Sequence, residues 1–332
     1  MAGDHSTADF AHLADLASAR LGGRAIAASD DFFAPQSNLV KPEPPIFIPG
    51  KFTTRGKWMD GWESRRRRTP GHDWCMVALG LRGSVAGVDI DTSYFNGNHP
   101  SHASIDALDL TGPLTRSLHA LEGPPWTTIL DKVDLKGTSH NLFAIDDRRP
   151  WTHVRLNAFP DGGVARLRVY GQVEIDWARR AATRRPIDLA GIVNGGLVLS
   201  ASDMHFGARD NLIMPGRAAN MGDGWETRRR RGPGYDSVIV RLGTAGVIRR
   251  VEIDTSHFKG NYPESASVDA GLTPDEWWEL LPRTKLQANK RHVFDVRRYV
   301  GRTFRSATHV RLNIFPDGGV SRLRVYGTVA AG

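Results

Sequence analysis

Two short stretches of this chain hold the residue types needed for acid–base chemistry on an anion. Asp60-Gly61-Trp62-Glu63-Ser64 runs into Arg65, Arg66, Arg67 and Arg68, and Asp223-Gly224-Trp225-Glu226-Thr227 runs into Arg228, Arg229, Arg230 and Arg231. Eight of the nine positions are identical. A guanidinium fork meets a carboxylate with two parallel hydrogen bonds. A carboxylic acid with a raised pKa can give up and recover a proton. The acid/base candidates are therefore Asp60, Glu63, Asp223 and Glu226. The candidates for holding an anionic substrate are Arg65, Arg66, Arg228 and Arg229. Each acid has a plainer alternative, an ion pair with a nearby arginine that fixes a loop.

Other residues join the candidate site by position. Trp62 and Trp225 either border the substrate or anchor the packing, and their large area favours packing. Asp91-Thr92-Ser93 and Asp254-Thr255-Ser256 each end a strand pattern. Asp91 and Asp254 can bind substrate there or cap the following backbone, with capping the better fit to a turn. His257 follows the second of these triplets, where the first copy has Tyr94, and is the histidine chosen as a catalytic candidate. His153 and His309 recur inside strand patterns and are read as structural. Gly97-Asn98 and Gly260-Asn261 are read first as turn formers and second as ligand contacts. No cysteine pair or histidine spacing forms a zinc site, and no phosphate-cradling loop or dinucleotide fingerprint occurs.

The elements that must position these residues are short strands. The chain of 332 residues carries 35 Gly and 19 Pro, which favours strands and turns over long helices. Trp74–Leu79 and Val85–Asp91 read as two strands, and Thr152–Phe159 as a third. Pro160-Asp161-Gly162-Gly163 reads as a hairpin turn that returns Val164–Tyr170 beside it, with no functional role. Alternation within a strand would turn Arg65 and Arg67 to one side and Arg66 and Arg68 to the other. Two helices are expected. Phe10, Leu13, Leu16 and Ala17 have helical spacing, and Thr273 is placed to cap Pro274–Leu281.

The chain repeats itself. Thr152–Gly171 and Thr308–Gly327 match at 18 of 20 positions, and Ile90–Asn98 and Ile253–Asn261 at seven of nine. The offset of about 160 is a domain length, far above solenoid periods. The first copy is ten residues longer around its Pro-rich loop, Lys41–Pro45. The expected organisation is a lead-in over 1–28, a first β-sandwich over 29–177, a linker over 178–190 and a second β-sandwich over 191–332. Arg179, Arg180, Arg184 and Arg185 lie in that linker.

The net charge is +8, which admits nucleic acid, anionic lipid or a small anionic substrate. The arginines come with acids and no nucleic-acid motif accompanies them, so no nucleic acid is expected. The start, with Asp4, His5 and Asp9, has no apolar signal region, and no run is long enough to cross a bilayer. No membrane is therefore expected. Cys75 is the one cysteine. It fits a reducing, cytoplasmic compartment and reads as a small buried hydrophobe.

The motifs together resemble the allantoicase family. The residues that carry the likeness are Ser29-Asp30-Asp31-Phe32-Phe33-Ala34, Lys57-Trp58-Met59-Asp60-Gly61-Trp62-Glu63, both arginine runs, Pro70-Gly71-His72-Asp73-Trp74-Cys75 and the paired Phe-Pro-Asp-Gly-Gly turns. The likeness spans residues 25 to 328 and includes the duplication. It implies an all-β chain of two tandem galactose-binding-like jelly-roll sandwiches. It also implies hydrolysis of allantoate, a small anion, to ureidoglycolate and urea in purine and ureide breakdown, and a homo-oligomer. A divalent metal belongs to the discussion of some members, but no ligand set follows, so no metal ligand or cofactor is assigned. The competing reading is a non-catalytic sugar- or anion-binding β-sandwich protein. The duplicated acids and guanidiniums favour the enzyme, because a neutral sugar does not need so many fixed cations.

Overall fold

The computed structural model describes residues 9–110, 125–183, 185–300 and 305–330. Asp4, His5 and Arg184, named above, lie outside them. The chain divides into two compact units, Met1–Glu174 and Ile175–Gly332. The first contains β1 (Ala14–Asp15), β2 (Arg24–Ala28), β3 (Phe52–Thr53), β4 (Gly56–Lys57), β5 (Trp62–Glu63), β6 (Asp73–Asp91), β7 (His102–Leu108), β8 (Thr127–Asp134), β9 (His140–Ala144), β10 (Pro150–Phe159), β11 (Gly163–Val164) and β12 (Arg166–Val173). The second contains β13 (Ile187–Asp188), β14 (Leu197–Ala201), β15 (Trp225–Glu226), β16 (Asp236–Asp254), β17 (Ser265–Gly271), β18 (Trp278–Lys285), β19 (Arg291–Asp295), β20 (Ser306–Phe315), β21 (Gly319–Val320) and β22 (Arg322–Val329).

One long strand organises each unit. β6 is 19 residues long. Near its start it pairs with β10 and β2, and near its end with β12 and β9. It therefore belongs to both layers of a sandwich. β7 and β8 extend one layer beyond β10, and β1 extends the other beyond β12. Alternate apolar residues of both layers, among them Cys75, Val77, Val88, Ile90, Ile105, Leu156, Leu167 and Val169, meet in one core. Where β6 changes layers a side chain has no room. A Cβ on Gly83 would lie 2.2 Å from the Gln172 carbonyl oxygen. β16 does the same work in the second unit, pairing with β20 and β14 and then with β22 and β19. Each unit is a jelly-roll sandwich, and the two arise from one duplicated sequence.

Four local expectations need correction. Trp74–Leu79 and Val85–Asp91 are not separate strands but the two halves of β6. The arms of the Pro160–Gly163 turn do not pair with each other. The chain leaves β10, pairs Gly163 and Val164 with Glu63 and Trp62, and enters β12 beside β6. The turn is thus a corner between strands, not a hairpin. Residues 10–17 bury Phe10, Leu16 and Ala17 as expected, but in a strand edge and not a helix. The Leu16 N–H bonds to the Val169 carbonyl at 2.7 Å, so the sheet takes the backbone. Thr273 does accept the Asp275 and Glu276 N–H groups, yet the following residues form β18. Among the described residues β18 pairs only with β17, at the sheet edge, where Pro282 removes no ladder bond.

Candidate active site

The Asp-Gly-Trp-Glu stretch is held by its tryptophan. Trp62 is fully buried, and its indole N–H donates to the Asp30 carbonyl at 2.8 Å. Trp225 is equally buried and donates to the Asp203 carbonyl at 2.7 Å. Neither indole has surface left for a ligand, so packing is their role. Alternation then sends Glu63 and Glu226 the other way. The neighbouring glycines are required by close approach. A Cβ on Gly163 would sit 2.0 Å from the buried ring of Phe95, and one on Gly319 2.0 Å from that of Phe258. These contacts press β5 against β11 and β15 against β21.

The arginine runs follow in non-strand backbone, pinned at alternate residues. Arg65 bonds Asp30 through its backbone N–H at 2.9 Å and its Nε at 2.8 Å. The Arg67 backbone N–H reaches Asp161 at 2.9 Å, and its guanidinium reaches Asp73 at 2.8 Å. Ser29 Oγ also bonds Asp73, at 3.0 Å. The second unit repeats this plan. Arg228 bonds Asp203, Arg230 bonds Asp317 and Asp236, and Ser202 bonds Asp236. Ser29-Asp30 and Ser202-Asp203 therefore do the same work in the two copies. Arg66, Arg68, Arg229 and Arg231 are exposed and have no partner among the described residues.

Glu63 and Glu226 each face a pocket with an asparagine beside them. Asn98 Nδ2 donates to Glu63 Oε1 at 2.7 Å, and Asn261 Nδ2 donates to Glu226 Oε1. Burial pushes the Glu63 carboxyl above the usual carboxylate range, although Asn98 and Lys57 oppose it. The first pocket, about 460 Å³, is lined by Phe33, Lys57, Met59, Glu63, Tyr94 and Asn98 among others. The second, about 800 Å³, includes Glu226, Arg229, Asn261, Tyr262, Glu264 and Lys285. Both volumes suit a small-molecule site. The longer loop of the first copy forms β3 and β4 and brings Lys57 to the smaller pocket.

Other candidates sit elsewhere. Asp60 is buried and receives Arg166 at 2.7 Å, Lys41 at 3.0 Å and the Ile46 N–H at 3.1 Å. Burial raises its pKa, but these donors outweigh burial and hold the carboxyl below its usual range. Arg322 holds Asp223 in the same way at 2.9 Å. Both are braces beneath the strand, with their carboxylates committed. Asp91 accepts the Ser93 N–H at 2.8 Å, and Asp254 accepts the Ser256 N–H at 2.9 Å and its hydroxyl at 2.6 Å. This is the turn-capping arrangement. His257 has φ +71°, matching φ +69° at Tyr94. Its Nε2 lies 2.9 Å from the Ala218 carbonyl, so Nε2 carries a proton and donates it there. His257 does not line the pocket of Glu226. His153 is buried, and burial lowers its pKa, as it does that of His309. Cys75 is buried, which pushes its thiol well up.

Residue types alone ranked low or missed three parts of this arrangement. Asn98 and Asn261 read first as turn formers and only second as ligand contacts, the Pro-Asp-Gly-Gly turn as mere geometry, and Lys57, Lys285 and Tyr262 drew no assignment. The signal available was the recurrence of Gly-Asn and of Asp161/Asp317 in both copies. Among the described residues no three His, Cys, Asp or Glu side chains are grouped to hold a metal ion. Glu63 and Glu226 each accept from an asparagine and share their pockets with Lys57 and with Arg229 and Lys285, a cationic setting that does not fit a divalent ion.

The allantoicase repeat family model matches residues 14–174 and 187–330. The chain belongs to the allantoicase family. A probable allantoicase 1 of Burkholderia mallei (strain ATCC 23344) is 50% identical over 332 residues, covering 95% of this chain and 94% of that one. A probable allantoicase of Pseudomonas paraeruginosa (strain DSM 24068 / PA7) is 49% identical, covering 98% of each. The crystal structure of the Saccharomyces cerevisiae allantoicase superposes with a TM-score of 0.82 at 36% identity, covering 95% of this chain and 92% of that one. Family and architecture thus agree across the whole duplicated chain.

Proposed function

We infer that this chain is a hydrolase that converts allantoate to ureidoglycolate and urea in purine breakdown. The observation that carries the assignment of a site is Arg229. It is an unpaired guanidinium among the described residues, in the same pocket as the Glu226–Asn261 pair. Allantoate is a carboxylate whose central carbon bears two ureido groups. Arg229 takes the carboxylate as a fork, with Lys285 as a second cation. Tyr262 and Asn261 offer hydrogen bonds to the ureido groups.

The reaction exchanges one bond for another. The oxygen of water bonds to the central carbon as one C–N bond breaks. One water proton stays on the new hydroxyl, and the other ends on the departing urea nitrogen. Glu226 carries that second proton, taking it from water and delivering it to nitrogen. Asn261 fixes the carboxylate so that its free oxygen faces the substrate. Asp203 and Asp317 brace the run on either side of Arg229 through Arg228 and Arg230. Arg65 and Arg228 are therefore positioning residues, as are Asp60 and Asp223. The first pocket, built on Glu63, Asn98 and Lys57, is the counterpart and not the working site.

Several wider features belong to the same reading. The buried lone thiol supports a reducing cytoplasm. Alternate arginines tied to acids weaken the case for nucleic acid. A homo-oligomer rests on the family likeness. Among the described residues no helix is long and apolar enough to cross a membrane. The test of the reading is urea release from allantoate by wild-type protein and by Glu226→Gln. Wild-type release with loss in the variant supports it, and an equal rate in both removes Glu226 from the site.

A further inference from the structure

The glutamate–asparagine pair recurs in both repeats, but the walls around it do not. Glu63, Asn98 and Phe33 line the first pocket, as their equivalents Glu226, Asn261 and Phe206 line the second. The first pocket is completed by Lys57, Met59, Tyr94 and Asn96. These four correspond to Asn220, Gly222, His257 and Lys259 in the second repeat, and none of those lines the second pocket. Conversely, Arg66, the equivalent of Arg229, does not line the first pocket. One carboxylate–amide pair has therefore been given two different sets of neighbours.

The neighbours change both charge and shape. Arg229 and Lys285 bring cations to the second pocket. Among the described residues that line the first, the charged ones are Glu63 and Lys57, one of each sign. Asn98 takes Glu63 Oε1 at 2.7 Å, and Oε2 accepts no hydrogen bond from the described residues. Lys57 is exposed, with Nζ 4.6 Å from the centre of the Phe47 ring. Phe47 belongs to the longer loop of the first repeat. It stacks on Tyr94 with ring centres 5.8 Å apart and 23° between the planes. Phe33 rests against β4, where a Cβ on Gly56 would lie 3.7 Å from its ring. The first pocket thus sets one free carboxylate oxygen and one ammonium beside aromatic walls.

We propose that the first pocket binds a small neutral ureide, its N–H groups donating to Glu63, its carbonyl oxygen accepting from Lys57 and its flat face set against Tyr94. An anion meets Glu63 there and a cation meets Lys57, so a ligand without net charge is favoured. A urea-type group carries N–H donors on one side and a carbonyl acceptor on the other, which matches one free carboxylate oxygen and one ammonium. It is also planar, which suits an aromatic wall. Tyr94 is 46% exposed, so its ring has surface left for a ligand. The class is read from the lining of this pocket and does not rest on the reaction at Glu226. Urea release and ureide binding can fail separately.

The test is calorimetric titration with phenylurea, and with benzylamine as a cation of similar size. Wild type is expected to bind phenylurea more tightly than benzylamine. Glu63→Gln and Lys57→Met should each weaken phenylurea by about tenfold or more. Lys57→Met leaves Glu63 as the charge of the pocket, so it should also bind benzylamine more tightly than wild type does. Lys57→Met, at an exposed position, keeps the test decisive should Glu63→Gln disturb folding. Glu226→Gln should leave phenylurea binding unchanged, which separates this site from the hydrolytic one. Absence of phenylurea binding in wild type, or wild-type binding of both probes by folded Lys57→Met, overturns the proposal. Loss of phenylurea binding in Glu226→Gln with retention in Glu63→Gln also overturns it, by placing the ligand in the other pocket.

Discussion

Asn98 Nδ2 lies 2.7 Å from Glu63 Oε1, and Asn261 makes the same bond to Glu226. The two pairs come from segments 35 residues apart in each repeat. Each joins a strand fixed by a buried tryptophan to a Gly-Asn turn. A hydrogen bond to a charged group contributes about 1.5–3 kcal/mol. Asn261→Ala should therefore lower kcat for allantoate about tenfold or more, while Asn98→Ala leaves turnover near wild type. Steady-state urea release by the two variants checks this. Equal losses would mean that both pockets work.

Arg229 should act on binding more than on bond breaking. Arg229→Ala is expected to raise KM about tenfold or more, with Arg229→Lys intermediate because a lysine cannot form the fork. An unchanged KM in both variants would take the carboxylate away from this residue.

Asp60 should matter for stability and not for proton transfer. Arg166→Met removes the buried partner of its carboxylate and leaves it to Lys41 and the Ile46 N–H, at a cost of about 3 kcal/mol. The paired Asp60 has a lowered pKa. Its contribution is present above the unfolded carboxylate pKa and is lost as pH falls through the folded value. Asp60→Asn should thus be less stable than wild type at neutral pH, with the gap closing in acid. Chemical denaturation across pH checks both statements. A folded Asp60→Asn protein without turnover would restore Asp60 as a catalytic candidate.

His153 and His309 give stability the same sign of pH dependence in a higher window. Burial lowers both pKa values below 6.5. The unfolded chain therefore takes up protons first. Stability is fully present above 6.5 and declines as pH falls below it towards the folded values. Thermal melts of wild type and of His153→Gln with His309→Gln, from pH 8 to 5, check this. The melting difference between the two proteins should narrow on acidification, and a constant difference would count against it.

The features legible in the sequence were those written locally or written twice. The duplication, the recurring acid-and-arginine stretch, the packing role of Trp62 and the buried Cys75 needed no distant information. The misreadings each turned on a partner far along the chain. Asp60 looked available because Arg166, 106 residues away, closes on it only in the folded sandwich. The Pro160–Gly163 turn looked like a hairpin because β5, its real partner, precedes it by nearly 100 residues. Thr273-Pro274-Asp275-Glu276 has helix-start chemistry, but pairing with β17 takes the next residues into a strand. The lead-in lost its helix to the edge of β12 for the same reason. Long-range pairing overrode local preference at each of these points.

The most direct test of the central claim is urea release from allantoate by wild type, Glu226→Gln and Glu63→Gln, each with its melting temperature measured. Wild type should release one urea per allantoate consumed. Glu226→Gln should lose about a hundredfold or more in kcat while remaining folded, and Glu63→Gln should retain turnover. Wild-type turnover in folded Glu226→Gln would contradict the account.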